Sequence, residues 1–137
     1  MVGPGDPAGD PQMNGPIREI HDLLIKYFDA LYFGDTKLFA DIFHPKARLF
    51  SATGDDFLVM DVPEYLAVVA GRQAPAKRGD PRADEIQSIT VPSPTTAHAR
   101  VREYLLPKHF IDELTLVRVE GQWKIVSKVW HFDLVTA

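Results

Sequence analysis

His109 to Val135 reads HFIDELTLVRVEGQWKIVSKVWHFDLV, and this stretch decides the fold. Two runs rich in β-branched and aromatic residues flank Glu120-Gly121, the mark of a hairpin closed by a two-residue turn. With Val119 set opposite Gln122, alternation assigns every side chain to one of two faces, so the register decides which residues can share a pocket. Carried back across a second tight turn at Pro107-Lys108, which pairs Leu106 with His109, the register predicts four rows on one face. They are Arg100, Thr115 and Val126; Arg102, Glu113 and Lys128; Tyr104, Ile111 and Trp130; and Leu106, His109 and Phe132. The other face takes Ala99, Leu116 and Ile125; Val101, Leu114 and Ser127; Glu103, Asp112 and Val129; and Leu105, Phe110 and His131. Both faces carry much apolar area, so both are expected to be covered, one by helices and the other by a second copy of the chain.

Working outward, the apolar residues Ile17, Ile20, Leu24, Tyr27, Phe28 and Leu31 recur at helical spacing and predict a helix from Ile17 to Phe33. Gly34 ends it. Asp35 or Thr36 caps a short second helix carrying Leu38, Phe39, Ile42 and Phe43, which Pro45 stops. ARLFSAT and FLVMD, separated by a turn at Gly54-Asp55-Asp56, predict a strand pair. Asp61 and Glu64 open a third helix as a capping box, with Pro63 in its first turn, and that helix ends near Gly71. A loop with several basic residues, Arg72 to Arg82, leads to the strands EIQSITV and TAHARVREYLL. Helices followed by a run of strands make an α+β domain with the helices on one side of a curved sheet. One domain is expected over residues 17–137. The Gly- and Pro-rich residues 1–16 are expected to be a disordered leader or cloning remnant.

Composition narrows the function. A chain of 137 residues buries roughly two thirds of its unfolded surface in one core. A net charge of −4 argues against nucleic acid as partner, because phosphate contacts need a clustered Lys/Arg excess. No apolar run approaches the roughly 18 residues of a membrane span, and the N-terminal stretch lacks a signal-peptide layout. There is no cysteine, which removes disulfides, thiolate metal sites and a cysteine nucleophile, and fits a reducing, cytoplasmic compartment. His21, His44, His109 and His131 match no zinc spacing, so no metal and no cofactor is expected.

Phe33-Gly34-Asp35 at the end of the first helix, Phe43-His44-Pro45-Lys46-Ala47 entering the first strand, and the last hairpin together carry a family likeness. Within the hairpin the matching residues are Asp112 to Leu116 and Gly121 to Lys128. On these residues, over Ile17 to about Val135, the chain resembles the nuclear transport factor 2-like superfamily. Within it, it resembles the SnoaL-like, "putative lumazine-binding" branch. The resemblance implies a cone: a curved, antiparallel or mixed sheet wrapped around three N-terminal helices. Its members include isomerases, dehydratases, hydrolases, carriers and non-enzymatic partners, so fold alone leaves the activity open.

Which face is the pocket? Apolar content favours Trp123, Ile125, Leu114 and Leu116 as the core side. Similarity to ketosteroid isomerase, a member of the superfamily, instead implies that Thr115, Lys128, Trp130 and Phe132 line the ligand. On the second choice the pocket holds Arg102, Glu113 and Lys128 in one row, with Tyr104, Trp130 and Phe132 beside it. The flanking cations would keep Glu113 ionised. Such a row suits a ring compound with an anionic or carbonyl group; it is equally a solvated cross-strand charge pairing. The resemblance places Tyr27 at the isomerase's oxyanion tyrosine. It also sets Ser51 and Thr115 where that enzyme has carboxyls, so ketosteroid isomerase chemistry lacks its base. His131, diagonal to Asp112, is a candidate base or an interface hydrogen-bond partner. Two functions stand. One is a small-molecule-binding homodimer, joined through the outer sheet face, for a hydrophobic or aromatic ligand. The other is a cofactor-independent dehydratase, isomerase or cyclase using Tyr27, Glu113, Lys128 and His109 or His131.

Overall fold

A computed structural model describes residues 15–135. Residues 1–14 of the expected leader lie outside the described residues, and Pro16 already begins the first helix. The elements are α1 (Pro16–Phe33), α2 (Thr36–Ile42), β1 (Phe43–Ser51), β2 (Leu58–Asp61), α3 (Val62–Gly71), a single turn α4 (Pro75–Arg78), β3 (Glu85–Ser93), β4 (Thr96–Leu105), β5 (Lys108–Val119) and β6 (Gln122–Leu134). They form an α+β cone. Six strands in the order β2-β1-β6-β5-β4-β3 curve around α1 to α3, and the sheet is mixed because β1 runs parallel to β6. Among the described residues no helix is long and apolar enough to cross a membrane.

Local chemistry accounts for most boundaries. Gly34 adopts φ 63°, and a Cβ there would stand 3.1 Å from the Ala74 methyl, so only glycine suits this end of α1. The Asp35 carboxylate caps α2 by accepting from the Leu38 amide at 3.0 Å. Asp61 and Glu64 complete a reciprocal capping box on α3. One boundary differs from expectation: β1 starts at Phe43, not after Pro45, because Phe43 pairs with Ile125 ahead of an irregularity that ends at Arg48. The basic loop after α3 is held down, since Arg82 bonds Asp29 at 2.6 Å and Asp84 at 2.7 Å.

The long hairpin carries the main correction. Glu120 (φ 52°) and Gly121 (φ 77°) are both left-handed, as a type I′ turn requires, and Val119 faces Gln122. That register holds to Leu116 opposite Ile125. Thr115 then faces Ser127, which leaves Val126 as an extra residue, a β-bulge. Beyond it the strand's facing is inverted relative to strict alternation. Trp123 and Ile125 before the bulge, and Lys128 and Trp130 after it, all project toward the helices. The predicted row of Arg102, Glu113 and Lys128 therefore does not exist, and Trp123 and Leu116 lie in the core rather than at a second subunit. The β4–β5 turn is Leu106-Pro107, with Leu105 opposite Lys108, two residues away from the predicted register. A two-residue shift keeps the faces but changes partners, so Glu113 meets Arg100 instead of Arg102.

The core fills one half of the cone. Ala97, Ala99, Val101, Leu114, Leu116, Trp123 and Ile125 on the inner sheet face pack against Ile20, Leu24, Phe28 and Leu31 of α1. Phe39, Phe43, Tyr27 and Tyr65 add an aromatic cluster with ring centroids 5.3 to 6.4 Å apart.

Candidate functional site

The other half of the cone is hollow. A cavity of about 260 Å³ lies between α3, the β1–β2 hairpin and the far ends of β4, β5 and β6. Helical spacing sends Tyr65 and Val68 of α3 to its wall, Arg72 joins them from just past the helix end, and β1 and β2 contribute Ser51, Leu58 and Met60. The sheet supplies Glu103, Leu105, Lys108, Phe110, Lys128, Trp130 and Phe132. Phe110 and Phe132 are paired across the strands with ring centroids 5.5 Å apart.

Lys128 sets the character of the floor. It is 4% exposed, it donates to the Tyr65 hydroxyl at 3.1 Å, and its ammonium stands 3.8 Å from the Asp112 carboxylate. Three rings surround that ammonium, with centroids 4.8 Å (Tyr65), 5.2 Å (Tyr27) and 5.5 Å (Trp130) away. Burial pulls the Lys128 pKa down, but the Asp112 charge and smaller contributions outweigh it, so the ammonium is held above its ordinary range. Tyr27 donates to the Asp112 carboxylate at 2.5 Å. Burial first, and the Asp112 charge second, push the Tyr27 hydroxyl far up, and it stays protonated.

Glu103 completes the cluster. It lies on the inner face diagonally from Asp112, and the two carboxyls are within hydrogen-bond reach. Burial first, and the Asp112 charge second, raise the Glu103 pKa well above the ordinary glutamate value; Lys128 opposes this without cancelling it. Oε2 of Glu103 and Oδ1 of Asp112 are buried and find no other donor. Burial and the neighbouring Asp112 charge thus both favour the neutral form of Glu103. The floor thus sets Glu103, the Lys128 ammonium and the Tyr65 hydroxyl inside an apolar shell, with Asp112 and Tyr27 buried beneath them. It can donate hydrogen bonds to a carbonyl and exchange a proton with a bound molecule.

The sequence-derived candidates divide between two faces. Lys128, Trp130 and Phe132 border the cavity, and Ser51 does too. Tyr27 is fully buried beneath the floor. Arg102, Tyr104, Glu113 and Thr115 stand on the outer face and do not reach the cavity. There Glu113 pairs with Arg100 and His98, each at 2.8 Å, and Tyr104 stacks on His109 with centroids 4.1 Å apart. His131 also turns outward, to Thr53 at 3.2 Å and Asp133 at 3.1 Å, so it cannot orient against Asp112. The bulge thereby puts His109 and His131 on the same face, where strict alternation had separated them. Among the described residues no group of three or more His, Asp or Glu is placed to hold a metal ion.

Sequence reasoning missed Glu103, Asp112, Tyr65 and Arg72. A signal existed for the first two. Their predicted row set two carboxyls side by side on the face carrying Leu114 and Leu116, an arrangement that like-charge repulsion disfavours unless a proton is shared.

The family described as "putative lumazine-binding" matches residues 16–131. Among solved structures, the chain is similar to an NTF2-like protein of unknown function from Shewanella baltica OS155, with a TM-score of 0.76 and 23% identity over 88% of this chain and 98% of that one. It is also similar to an NTF2-like protein of unknown function from Methylobacillus flagellatus KT, with a TM-score of 0.74 and 26% identity over 85% and 91%. A ketosteroid isomerase-like protein from Erwinia carotovora atroseptica SCRI1043 superposes with a TM-score of 0.69 at 17% identity over 87% and 97%. No curated protein matches the chain.

Proposed function

Because the chain belongs to the "putative lumazine-binding" family of the NTF2-like superfamily, we propose that it is a small-molecule-binding protein. Its ligand is a ring compound with an anionic or carbonyl group, held in the cavity beside α3. One observation carries this reading: a buried ammonium, boxed by the rings of Tyr27, Tyr65 and Trp130, at the floor of a cavity with aromatic and aliphatic walls. A slot of this kind presents flat apolar surface to a ring and a charged donor to its acceptor group. Thermal unfolding with a panel of aromatic ketones and acids tests it. Ligands should raise the melting temperature of the natural chain, and filling the cavity by Val68→Trp should abolish the shift without unfolding the protein. A panel without any shift overturns the reading.

The outer sheet face supports a homodimer. Ile111 and Val129 lie there beside Glu113, and Val129 is 44% exposed. Sedimentation equilibrium should give twice the chain mass, and Val129→Glu should return it to one.

The raised pKa of Glu103 at the cavity wall favours a second reading, a cofactor-independent dehydratase, isomerase or cyclase. A bound ring ketone would then exchange its α-hydrogens with deuterated solvent, and Glu103→Gln would slow that exchange. Solvent-rate exchange in the natural protein removes this reading and leaves the binding one.

A further inference from the structure

The mouth of the cavity carries charge that the floor does not neutralise. α3 steps along the wall from Tyr65 through Val68 to Arg72, just past the helix end, so the guanidinium stands at the outer side. Its Nη2 is buried and has no hydrogen-bond partner among the described residues. A guanidinium N–H shut off from water without an acceptor is costly. Lys108, the first residue of β5, borders the same space with its ammonium 4.4 Å from the Phe132 ring centroid. Among the described residues no carboxylate lies within ion-pair distance of either cation. Among the described residues Glu103 is the sole carboxyl on the wall, and it is 2% exposed, on the side of Lys128 and Asp112. A shallower cleft of about 210 Å³ continues outward past Arg72 and Lys108.

The two ends therefore ask for different groups. Trp130 and Phe132 are two residues apart on β6, roughly 7 Å along the strand, so their rings form one apolar wall between floor and mouth. The C-terminal end of α3 bears partial negative charge and would repel an anion unaided, so the guanidinium must hold it. A planar guanidinium matches a carboxylate through two parallel hydrogen bonds.

The geometry points to an elongated ring acid bound in one polarity: its carboxylate at the mouth on Arg72 and Lys108, its carbonyl or other acceptor pole at the floor beside Lys128 and Glu103. This rests on the cavity being a ligand site, and it adds which chemical class enters and which way round. Three probes separate the two claims in titration calorimetry: 2-naphthoate, 2-acetylnaphthalene and 6-acetyl-2-naphthoate. The molecule with both groups should bind the natural chain about tenfold more tightly than either parent. Arg72→Gln, and independently Lys108→Gln, should weaken both carboxylates about tenfold and leave 2-acetylnaphthalene unchanged. If all three bind and neither variant discriminates among them, the polarity is wrong while the ligand site stands. If the carboxylates respond to Lys128→Met but not to Arg72→Gln, the orientation is reversed and the proposal falls. If none binds the natural chain, the ligand-site reading fails and takes this one with it.

Discussion

The inner face of the sheet has two halves built from the same three strands. In the closed half, Leu114, Leu116, Trp123 and Ile125 join Phe39, Phe43 and the buried face of α1 in one apolar core. In the open half, Glu103, Lys128, Trp130 and Phe132 face a cavity, and Asp112 lies buried behind Lys128. The bulge at Val126 divides them, and it lets β6 serve both halves from one face. The halves are stabilised in different ways. Burying apolar area drives folding in the first, at roughly 25 cal/mol for each Å² removed from water. A buried ion pair in the second regains its desolvation cost only while every partner is present, so it adds little net stability. The polar cluster is thus explained better by a task at the cavity than by a contribution to the fold.

The contrast is most easily broken at Lys128. Lys128→Ala should destabilise the protein by about 3–5 kcal/mol in urea unfolding, because Asp112 is left buried without its cation. A loss below about 1 kcal/mol would mean the cluster is not coupled in this way. In the closed half, Leu116→Ala should cost about 2–5 kcal/mol by cavity formation, yet leave affinity for any cavity ligand unchanged. Unequal effects on affinity from these two variants sharpen the division of labour; equal effects erase it.

Glu103 provides a pH signature confined to the open half. Its folded pKa is raised above the unfolded value, so its favourable contribution is complete below the ordinary glutamate range. That contribution is lost as pH climbs through the raised folded value. Over that window the natural protein should lose up to about 1.4 kcal/mol per pH unit relative to Glu103→Gln. The difference curve between the two proteins checks this, and a flat curve contradicts a raised Glu103 pKa. The smallest effect belongs to the hairpin end of the closed half. Glu120 occupies a left-handed position better suited to asparagine, so Glu120→Asn should stabilise by about 0.5–1 kcal/mol without touching ligand affinity.

Much of the scaffold was legible from residues alone. Gly34, the Asp61–Glu64 box and the Glu120-Gly121 turn each have a local chemical signature, and the structure uses all three as that chemistry demands. The site was less legible, for a definable reason. Apolar content pointed to Trp123 and Ile125 as the helical side, and the family resemblance pointed to Lys128, Trp130 and Phe132. Under strict alternation these exclude one another. The structure places both sets on the helical side, because Val126 is one residue too many. Nothing marks that position in the sequence: it is a β-branched residue among others, and its backbone conformation needs no glycine. The β4–β5 turn was ambiguous in a milder way. Either placement keeps Pro107 inside the turn, where its missing N–H does no harm, and only the strand partners differ.

Everything said of the cavity depends on where Lys128 points. Nuclear Overhauser spectroscopy on the labelled protein measures this directly and is indifferent to oligomeric state. Cross-peaks from the Lys128 ε-methylene to the rings of Tyr65, Tyr27 and Trp130 are predicted, alongside Ile125 methyl contacts to Phe43. Cross-peaks from Lys128 to the side chains of Glu113 and Arg100 in their place, with Ile125 still against Phe43, would restore strict alternation and remove the cavity's floor.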